Sequence, residues 1–377
     1  MGKKIKQRKS SELETEFAHH ALIDRGAALI LSVKIAQIYH YGNSEGLLKR
    51  FALLKNWISS QFPGTPFTLE TASEDASFRR YFRVKFEDRS LIAMDAPPSH
   101  EDCKPFIQVS ELFYAAGAHV PRVLARDLKQ GFLLLDDLGA TTYLQVLQDG
   151  NADHLYLDAI ESLIKIQLAS RAGVLPDYDE TLLLREMGLF PDWYVAKHLR
   201  LGLSSAQTEV VNSMFKRVLQ NNLAQPRVYV HRDYHSRNLV LSDPNPGILD
   251  FQDAVFGPIT YDVVSLFKDA YICWDEERTL DWLVRYWERA KKSGLPVAAD
   301  FAGFYRDFEW MGVQRHLKVL GIFARLNYRD GKEGYLKDLP PVMQYLRNAC
   351  GRYPDLTPLL RLLDELEGIQ IKVGHTF

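Results

Sequence analysis

The stretch VYVHRDYHSRNLVLSDPNPGILDFQDA, residues 228–254, decides the fold expected for this chain. Apolar segments lie on both sides of its polar loop, and a third follows a proline-rich turn, as in short strands joined by turns. Asp233 and Asn238 stand in the loop, and Asp250 stands near the far end of the stretch. Because two short strands return the chain beside its starting point, we expect Asp250 to lie next to Asn238.

The polar residues of this stretch follow the order His231-Arg232-Asp233, four residues, Asn238, and then Asp250 before a phenylalanine. This order resembles the catalytic core of kinases, in which phosphoryl transfer depends on positioning and charge neutralisation. The resemblance implies that Asp233 accepts or orients the proton of the attacking hydroxyl, with His231 and Arg232 completing the catalytic loop. It also implies that Asn238 and Asp250 bind Mg²⁺, which bridges the phosphates of ATP. The flanking apolar strands supply the structural context that the motif requires.

Further residues resemble the aminoglycoside phosphotransferase and choline kinase superfamily more than the protein kinases. His235 stands two places after the catalytic aspartate, and LDFQDA leads into GPITYDVVSL, residues 257–266. The resemblance implies that Asp262, in the Tyr-Asp pair of that segment, supports the catalytic loop. No segment ending in APE follows Asp250, which argues against a protein substrate. The resemblance covers roughly residues 50–365.

Several longer stretches are similar to the bacterial anomeric sugar kinases that act on N-acetylmuramate and N-acetylglucosamine. This similarity implies phosphorylation of the sugar at C1 in cell-wall recycling, on the way to a nucleotide sugar. Periodicity and spacing do not identify the sugar. The stretches are ASFRRYFRV (76–84), LIAMDAPP (91–98), FLLLDDLG (132–139), LREMGLFPDWYV (184–195) and QRHLKVLGIFARL (314–326).

The rest of the chain divides into a strand-rich part and a helical part. Residues 51–138 contain loosely alternating apolar positions typical of strands, whereas helical periodicity predominates in residues 139–377, including one helical pattern over residues 180–199. We therefore predict an α+β, two-lobed protein-kinase-like fold. A small antiparallel-sheet N-lobe binds nucleotide, and a larger, mainly helical C-lobe carries the catalytic and acceptor-binding residues. Residues 1–50 are interpreted as an extension, either a peripheral helix or the result of a start codon assigned too far upstream.

The residues expected at the nucleotide lie in the N-lobe. The turn SEDASF stands where kinases have a glycine-rich loop; it has no glycine, but Ser77 offers a hydroxyl. Met94 stands near the position of the usual ATP-binding lysine. Arg79, Arg80 and Arg83 are candidates for the missing positive charge, because guanidinium groups suit phosphate geometry. Two explanations remain open, compensation by one of these arginines or a catalytically weak protein.

The hinge between the lobes, LDDLG, is expected to contact adenine. Its first four residues are Leu135, Asp136, Asp137 and Leu138. Apolar residues at strand ends are usually core residues, so the leucines are poor markers of a ligand site. The prediction therefore depends on the backbone N–H and C=O groups of this segment.

The acceptor pocket is expected between the catalytic loop and the helical lobe. An exposed aromatic side chain can stack on a sugar face, and arginine or glutamate can bind hydroxyl groups or a lactyl carboxylate. Helix packing with a structural ion pair explains residues at this spacing equally well. The candidates are Arg185, Glu186, Trp193, His235 and Arg315.

Composition excludes several classes of protein. Of the 377 residues, 46% are hydrophobic, and the formal net charge of −2 gives no basic excess for nucleic acid. Cys103, Cys273 and Cys350 form neither a CxxC pair nor a disulfide framework, which fits a reducing cytoplasm. The apolar run over residues 26–33 is too short to span a bilayer and lacks the pattern of a signal peptide. We expect ATP and an amino sugar as ligands, and no nucleic acid, membrane or obligate protein partner.

Two alternatives remain open on the sequence. In the first, the same enzyme class acts on an aminoglycoside, choline or homoserine. In the second, the chain is a nucleotide-binding pseudokinase that serves as a regulatory module. The missing lysine favours the pseudokinase, whereas the complete set of Asp233, Asn238 and Asp250 opposes it.

Overall fold

The computed structural model of the protein describes residues 44–73 and 78–369. Ser77, expected at the phosphates of the nucleotide, lies outside the described residues. Most of the extension expected over residues 1–50 also lies outside them. Tertiary contacts divide the described residues into two compact units.

The first unit consists of residues 44–70 and 83–90. It contains helix α1, Ser44–Gln61, so the boundary expected at residue 50 falls inside a helix. The ring of Phe62 meets that of Phe86 edge to face at 4.9 Å. Such a pair adds specific aromatic geometry to the apolar area that the unit buries.

The second unit consists of residues 71–73, 78–82 and 91–369. Its core is continuous across residue 138, where the sequence predicts a division between lobes. Phe251, from the catalytic stretch, packs against Phe106 at 4.9 Å between ring centroids. Because apolar side chains on both sides of the expected boundary share one core, the compact units do not coincide with the expected lobes.

Nine strands form three sheets in the described residues. The five-stranded sheet has the order β1-β2-β3-β5-β4, and β5 pairs antiparallel with both β3 and β4. Two short antiparallel ladders, β6–β9 and β7–β8, lie further along the chain. The strands are β1 (Thr68–Ser73), β2 (Arg80–Lys85), β3 (Ser90–Asp95), β4 (Val123–Asp127), β5 (Phe132–Asp136), β6 (Arg227–Val230), β7 (Leu239–Val240), β8 (Gly247–Ile248) and β9 (Val255–Pro258).

Helices make up most of the chain after β5, so the α+β class predicted from the sequence is confirmed. The α-helices that follow α1 are α2 (Lys104–Ala115), α3 (Tyr143–Val146), α4 (Ala152–Leu168), α5 (Glu180–Met187), α6 (Ser205–Leu223), α7 (Tyr261–Phe267), α8 (Glu276–Lys292), α9 (Phe301–Tyr328), α10 (Leu339–Arg352) and α11 (Thr357–Glu367). A π-helix spans Phe190–Leu199, and 3₁₀ helices span Glu333–Asp338 and Pro354–Leu356.

The single helix expected over residues 180–199 is wrong in one respect. Helix α5 ends at Met187, Gly188 caps it, and a separate π-helix begins at Phe190. Pro191, in the first turn of the π-helix, has no N–H to donate, which prevents α-helical hydrogen bonding from continuing without a break. The apolar periodicity continues across the break, and this explains why it suggested one helix.

Helix α9 runs through the interior of the second unit. It has 28 residues, and residues 308–321 are all buried. Four buried polar residues lie close together in this segment: Gln314, Arg315, His316 and Lys318. Buried polar groups require partners, and two of the four, Arg315 and Lys318, find them next to the catalytic loop.

Candidate active site

The catalytic loop is held between two short ladders of apolar residues. β6 pairs with β9 so that Val230 stands opposite Val255, and β7 pairs with β8 so that Leu239 stands opposite Ile248. All four side chains are buried. The loop, residues 231–238, therefore begins and ends on fixed strands, and the chain returns beside it after β8.

Asn238 connects the three residues that the motif predicts to meet. Its Nδ2 donates to the backbone oxygen of Asp233 at 2.9 Å and lies 3.4 Å from Oδ2 of Asp250. Nε2 of Gln252 donates to Oδ1 of Asp250 at 2.8 Å. Asp250 has a φ of 62°, in the left-handed region that aspartate adopts more readily than most residues. The predicted convergence of Asp233, Asn238 and Asp250 is thus present in the structure.

The donor set of Asn238 and Asp250 suits a hard cation. Because Nδ2 of Asn238 is used in hydrogen bonds, its Oδ1 and the Asp250 carboxylate are the oxygens available to a metal. No group of three or more His, Cys, Asp or Glu side chains suited to a metal occurs in residues 44–73 and 78–369. Mg²⁺ commonly takes one or two protein oxygens and completes its shell with water and phosphate oxygens. The residues present therefore fit Mg²⁺ bound together with a nucleotide.

Asp262 supports the start of the loop, as the sequence predicts. Its carboxylate accepts the backbone N–H groups of His231 at 2.6 Å and of Arg232 at 3.0 Å. Burial raises the pKa of Asp262 to about 7, although both N–H groups act to lower it. Burial also lowers the pKa of His231 to about 4, so this imidazole is neutral at physiological pH, with Nε2 bonded to the oxygen of Leu249. His231 and Asp262 are therefore both buried and bonded to the loop and its neighbouring backbone.

Asp233 is the carboxylate left accessible in the loop, with its side chain 40% exposed. Burial acts to raise its pKa, but the charges of Lys318, His235 and Arg315 outweigh burial and hold the pKa well below the ordinary range. Nη1 of Arg315 lies 3.9 Å from Oδ1 of Asp233. The carboxylate is therefore ionised at neutral pH and is a weak base, which suits it to accepting a hydrogen bond more than to taking up a proton.

Glu186 lies at the centre of a buried ionic network behind the loop. Its carboxylate accepts hydrogen bonds from Arg232 and Tyr178, and Nζ of Lys318 lies 3.0 Å away. Burial acts to raise its pKa, and the Lys318 and Arg232 charges lower it overall. Nζ of Lys318 also donates to the hydroxyl of Tyr261 at 2.9 Å. Glu186 therefore binds two cations, Lys318 and Arg232, and holds Arg232 from behind the catalytic loop.

The acceptor candidates are not brought to one surface. Glu186, Arg315 and His235 are buried, whereas Arg185 is exposed and Trp193 is half-buried. The carboxylate of Glu186, predicted to bind the acceptor, is occupied by internal partners in the structure. Arg315 is likewise internal, and donates to the backbone oxygen of Arg232 at 3.3 Å. The positive charge of Arg315 lowers the pKa of Asp233.

The residues expected to contact the nucleotide lie in different surroundings in the structure. Nε of Arg79 donates to Glu101 at 3.1 Å. Arg80 is 6% exposed and forms an ion pair with Asp95, which is fully buried at the end of β3. Met94 is fully buried in the apolar core. Arg80 and Met94 are therefore both buried among internal partners, and contact of either with a nucleotide stays a prediction.

The side chains of the hinge are engaged locally. Leu135 is a core residue, 2% exposed, and Leu138 is half-buried. Oδ2 of Asp136 accepts from Nε of Arg122 at 2.6 Å, and Oδ1 of Asp137 accepts the backbone N–H two residues later at 3.0 Å. Contact with adenine through the hinge backbone stays a prediction.

Two residues of the site were missed by sequence reasoning. Asp269 accepts the backbone N–H of Ser236 at 2.9 Å and also the Ser236 hydroxyl, which fixes the middle of the loop. Gln252 orients the Asp250 carboxylate. Asp269 lies two residues beyond the end of α7, so helical spacing from Asp262 gave no signal for it.

Comparison with known proteins shows the family. The chain matches the phosphotransferase enzyme family over residues 68–301, which is more than half of its length. The chain belongs to this family, and it is therefore an enzyme that transfers a phosphoryl group. Kinases of this kind use ATP as the donor.

Two relatives are named N-acetylmuramate/N-acetylglucosamine kinase. The protein of Pseudomonas aeruginosa is 51% identical over 327 residues, which cover 84% of this chain and 97% of the relative. That of Neisseria meningitidis serogroup B is 49% identical, and the match covers 88% of this chain and 100% of the relative. The predicted resemblance to amino-sugar kinases is confirmed at this level of identity.

Solved structures show the same fold. A choline kinase from Streptococcus pneumoniae has a TM-score of 0.56 at 13% identity, covering 79% of this chain and 98% of its own. The ADP-bound aminoglycoside phosphotransferase APH(2'')-Ib has a TM-score of 0.51 at 15% identity, covering 78% of this chain and 97% of its own. The fold is therefore that of the aminoglycoside phosphotransferases and choline kinases, as the sequence predicts.

Proposed function

We propose that the chain phosphorylates the anomeric C1 hydroxyl of N-acetylmuramate and N-acetylglucosamine, with Mg²⁺-ATP as the donor, in cell-wall recycling. The observation that carries the proposal is the convergence of Asp233, Asn238 and Asp250 in a chain that is 51% identical to a kinase named for these two sugars.

Asp233 has the position and charge to orient the acceptor. Its ionised, partly exposed carboxylate accepts a hydrogen bond from the C1 hydroxyl and directs the hydroxyl oxygen towards the γ-phosphorus. The bond between the hydroxyl oxygen and γ-phosphorus forms while the bond from γ-phosphorus to the β,γ-bridging oxygen breaks. The proton passes from the hydroxyl to Asp233 late in the step and then to water, because a carboxylate of low pKa is a weak base.

Asn238 and Asp250 are the residues that would hold Mg²⁺. When bound, the metal neutralises charge on the β- and γ-phosphates. Gln252 keeps the Asp250 carboxylate oriented, and Asn238 ties the metal site to the loop that carries Asp233. The two functional parts therefore share one hydrogen-bonded framework.

A cytoplasmic location is proposed, since the sugars and ATP meet there during recycling. In the described part of the chain, no helix combines the length and apolar character needed to cross a membrane. The three cysteines are free thiols, which agrees with a reducing compartment.

The test is turnover of the purified chain with Mg²⁺-ATP and a panel of acceptors. The panel contains both amino sugars, kanamycin, choline and homoserine, and ADP release is measured with ³¹P NMR of the product. We expect turnover on the amino sugars, with the phosphate ester at C1. Turnover on kanamycin, choline or homoserine alone would retain the kinase and reject the sugar. ATP binding without turnover on any acceptor would favour the pseudokinase.

A further inference from the structure

Three arginine and lysine side chains lower the pKa of Asp233, and all three are already occupied. They are Lys318, Arg315 and Arg232. Lys318 contacts Glu186 and the Tyr261 hydroxyl, and Arg232 pairs with the same glutamate. Arg315 is 4% exposed and lies over the Tyr261 ring. None of the three is placed to receive an anionic group of a substrate without losing an internal partner.

Arg237 differs from these cations. It stands directly before Asn238 in the catalytic loop and is half-buried. Its guanidinium carbon lies 3.8 Å from the ring centroid of Tyr271 and 5.5 Å from that of Tyr335. Within residues 44–73 and 78–369, no hydrogen bond or ion pair to this guanidinium was found. Two aromatic faces therefore hold the cation in place while its five N–H donors remain available.

The position of Arg237 is close to the reacting end of the site. Burial raises the pKa of the Tyr271 hydroxyl, and the charges of both Arg237 and Asp233 act on it. The ring of His235 meets that of Tyr271 edge to face at 5.4 Å, and its buried Nδ1 has no hydrogen-bond partner in the described residues. Arg237 and Asp233 thus face one neighbourhood, which contains a second polar group without a partner.

Two carboxylates also lie near Arg237. Asp269 is occupied by the backbone N–H groups of Ser236 and Tyr271. The charge of Arg237 acts on Asp338, but the two do not approach within ion-pair distance in the described structure. Neither carboxylate neutralises Arg237 by direct contact.

N-acetylmuramate differs from N-acetylglucosamine by a lactyl ether on O3, which carries a carboxylate. If the C1 hydroxyl lies at Asp233, this carboxylate lies about one sugar ring away. We propose that Arg237 binds the lactyl carboxylate and thereby sets the preference of the site for the acidic sugar over the neutral one. This proposal rests on the proposed function and assigns Arg237 as its specificity-determining residue.

The test compares kcat and KM of the full chain for both sugars in the wild type and in Arg237→Met. A charge-assisted, two-point contact is typically stronger than a neutral hydrogen bond, so we expect kcat/KM for N-acetylmuramate to fall about 30- to 100-fold, mainly through KM. The value for N-acetylglucosamine should stay within about threefold, because that sugar has no carboxylate. Arg237→Lys should recover part of the loss.

Arg306→Met is the matched control. Arg306 lies 5.0 Å from the Trp310 ring centroid, so the substitution also removes an arginine stacked on an aromatic ring. It should change neither sugar's kinetics. The proposal would be overturned if Arg237→Met lowered kcat/KM equally for both sugars, or lowered it for neither.

A substrate-side test needs no substitution. The methyl ester of N-acetylmuramate keeps the lactyl group but has no charge. The wild type should use this ester no better than N-acetylglucosamine, and Arg237→Met should treat the ester and the acid alike. A wild type that uses acid and ester equally would overturn the proposal, whereas a wild type inactive on both parent sugars would reject the proposed function itself.

Discussion

Arg232 shows how the catalytic loop combines strain with support. Its φ of 79° lies in the left-handed region, which for a non-glycine residue costs about 1–3 kcal/mol. The Asp262 carboxylate accepts the backbone N–H groups of His231 and Arg232, and Glu186 binds the Arg232 guanidinium. The strained residue is therefore over-determined by its contacts, and the strain directly precedes Asp233.

Asp233→Asn tests the orienting carboxylate. The substitution keeps the shape of the side chain and removes its negative charge, so we expect kcat to fall by about 10²- to 10⁴-fold. Affinity for ATP should change by no more than about threefold, because Asn238 and Asp250, the proposed ligands of Mg²⁺, remain. Steady-state kinetics and titration calorimetry with ATP measure the two effects.

Asp250→Asn is the comparison for this experiment, since it alters the proposed metal ligand. It should weaken Mg²⁺-ATP binding, in contrast to Asp233→Asn. Retained turnover in Asp233→Asn would remove this carboxylate from the mechanism.

Gln252→Leu tests the positioning of the Asp250 carboxylate. Leucine has a similar volume but cannot donate the 2.8 Å hydrogen bond to Oδ1. A hydrogen bond to a charged group contributes about 1.5–3 kcal/mol, so the Mg²⁺ concentration for half-maximal ATP binding should rise about tenfold. The measurement is the displacement of a fluorescent ATP analogue at varied Mg²⁺. An unchanged Mg²⁺ requirement would show that Asp250 keeps its position without Gln252.

At the scale of elements, helix α9 supplies charge to a loop that it does not contain. Lys318 contacts Glu186 of α5, and Arg315 stands 3.9 Å from Asp233. Both side chains are buried on a helix whose surroundings are largely apolar. Long charged side chains are rarely buried without partners, so these elements and the loop are mutually dependent.

Glu186→Gln removes the negative charge that this arrangement shares. The substitution leaves the buried cations of Arg232 and Lys318 without a counter-charge, and breaking a buried pair in this way costs about 3–5 kcal/mol. Urea unfolding measures the loss. The matched control is Glu180→Gln, at an exposed position of the same helix, which should change stability by less than about 0.5 kcal/mol. Equal, small effects of both substitutions would contradict a central role for Glu186.

The burial of His316 predicts how the stability of the fold depends on pH. Burial, with the charges of Lys268 and Arg315, lowers its pKa well below the ordinary value, so it stays neutral in the folded state. As pH falls below about 6.5, the unfolded chain gains a proton at this position and the folded chain does not, which destabilises folding. Replacement in His316→Phe removes this contribution.

The stability of His316→Phe relative to the wild type should therefore be about 2 kcal/mol more favourable at pH 5 than at pH 7. Between pH 7 and pH 8 the difference should be constant, because histidine is neutral in both states there. Denaturant titrations at three pH values provide the measurement. A difference that does not vary with pH would show that His316 is protonated alike in both states.

At the scale of the whole molecule, helix α1 is the first described element with fully buried apolar side chains. Leu54 and Ile58 of this helix are fully buried. We predict that deletion of residues 1–43 leaves kcat within about twofold, whereas deletion through Gln61 removes two buried side chains and costs about 1.5–3 kcal/mol for each. Activity and thermal unfolding of both truncations measure this. A large loss of activity on removing residues 1–43 alone would show that they are integral to the enzyme.

Much of the fold and the site was predictable from local sequence. The spacing of Asp233, Asn238 and Asp250 between apolar segments was sufficient to predict their convergence, because short strands and tight turns leave few ways to connect them. Asp262 was also assigned correctly as a support. These features depend on residues close together in sequence, where geometry follows from the chain itself.

Other features could not be read from local patterns. The periodicity over residues 180–199 was that of one helix, although Pro191 interrupts it. The carboxylate of Glu186 is of a type that can bind a ligand. The partners that occupy it, Arg232 and Lys318, come from other parts of the chain. The division of the chain into compact units likewise depends on which apolar side chains share a core.

The sequence by itself determined the catalytic motif, the α+β class and the family. Only the tertiary structure decided which charged residues are internal and which are available to a substrate. Arg237 and Arg315 are chemically the same side chain and cannot be distinguished by composition. Arg315 is a buried residue of helix α9. Arg237 belongs to the catalytic loop, and its guanidinium lies against the rings of Tyr271 and Tyr335. The physical reason is that burial and pairing arise from contacts between residues distant in sequence, and these contacts exist only once the chain has folded.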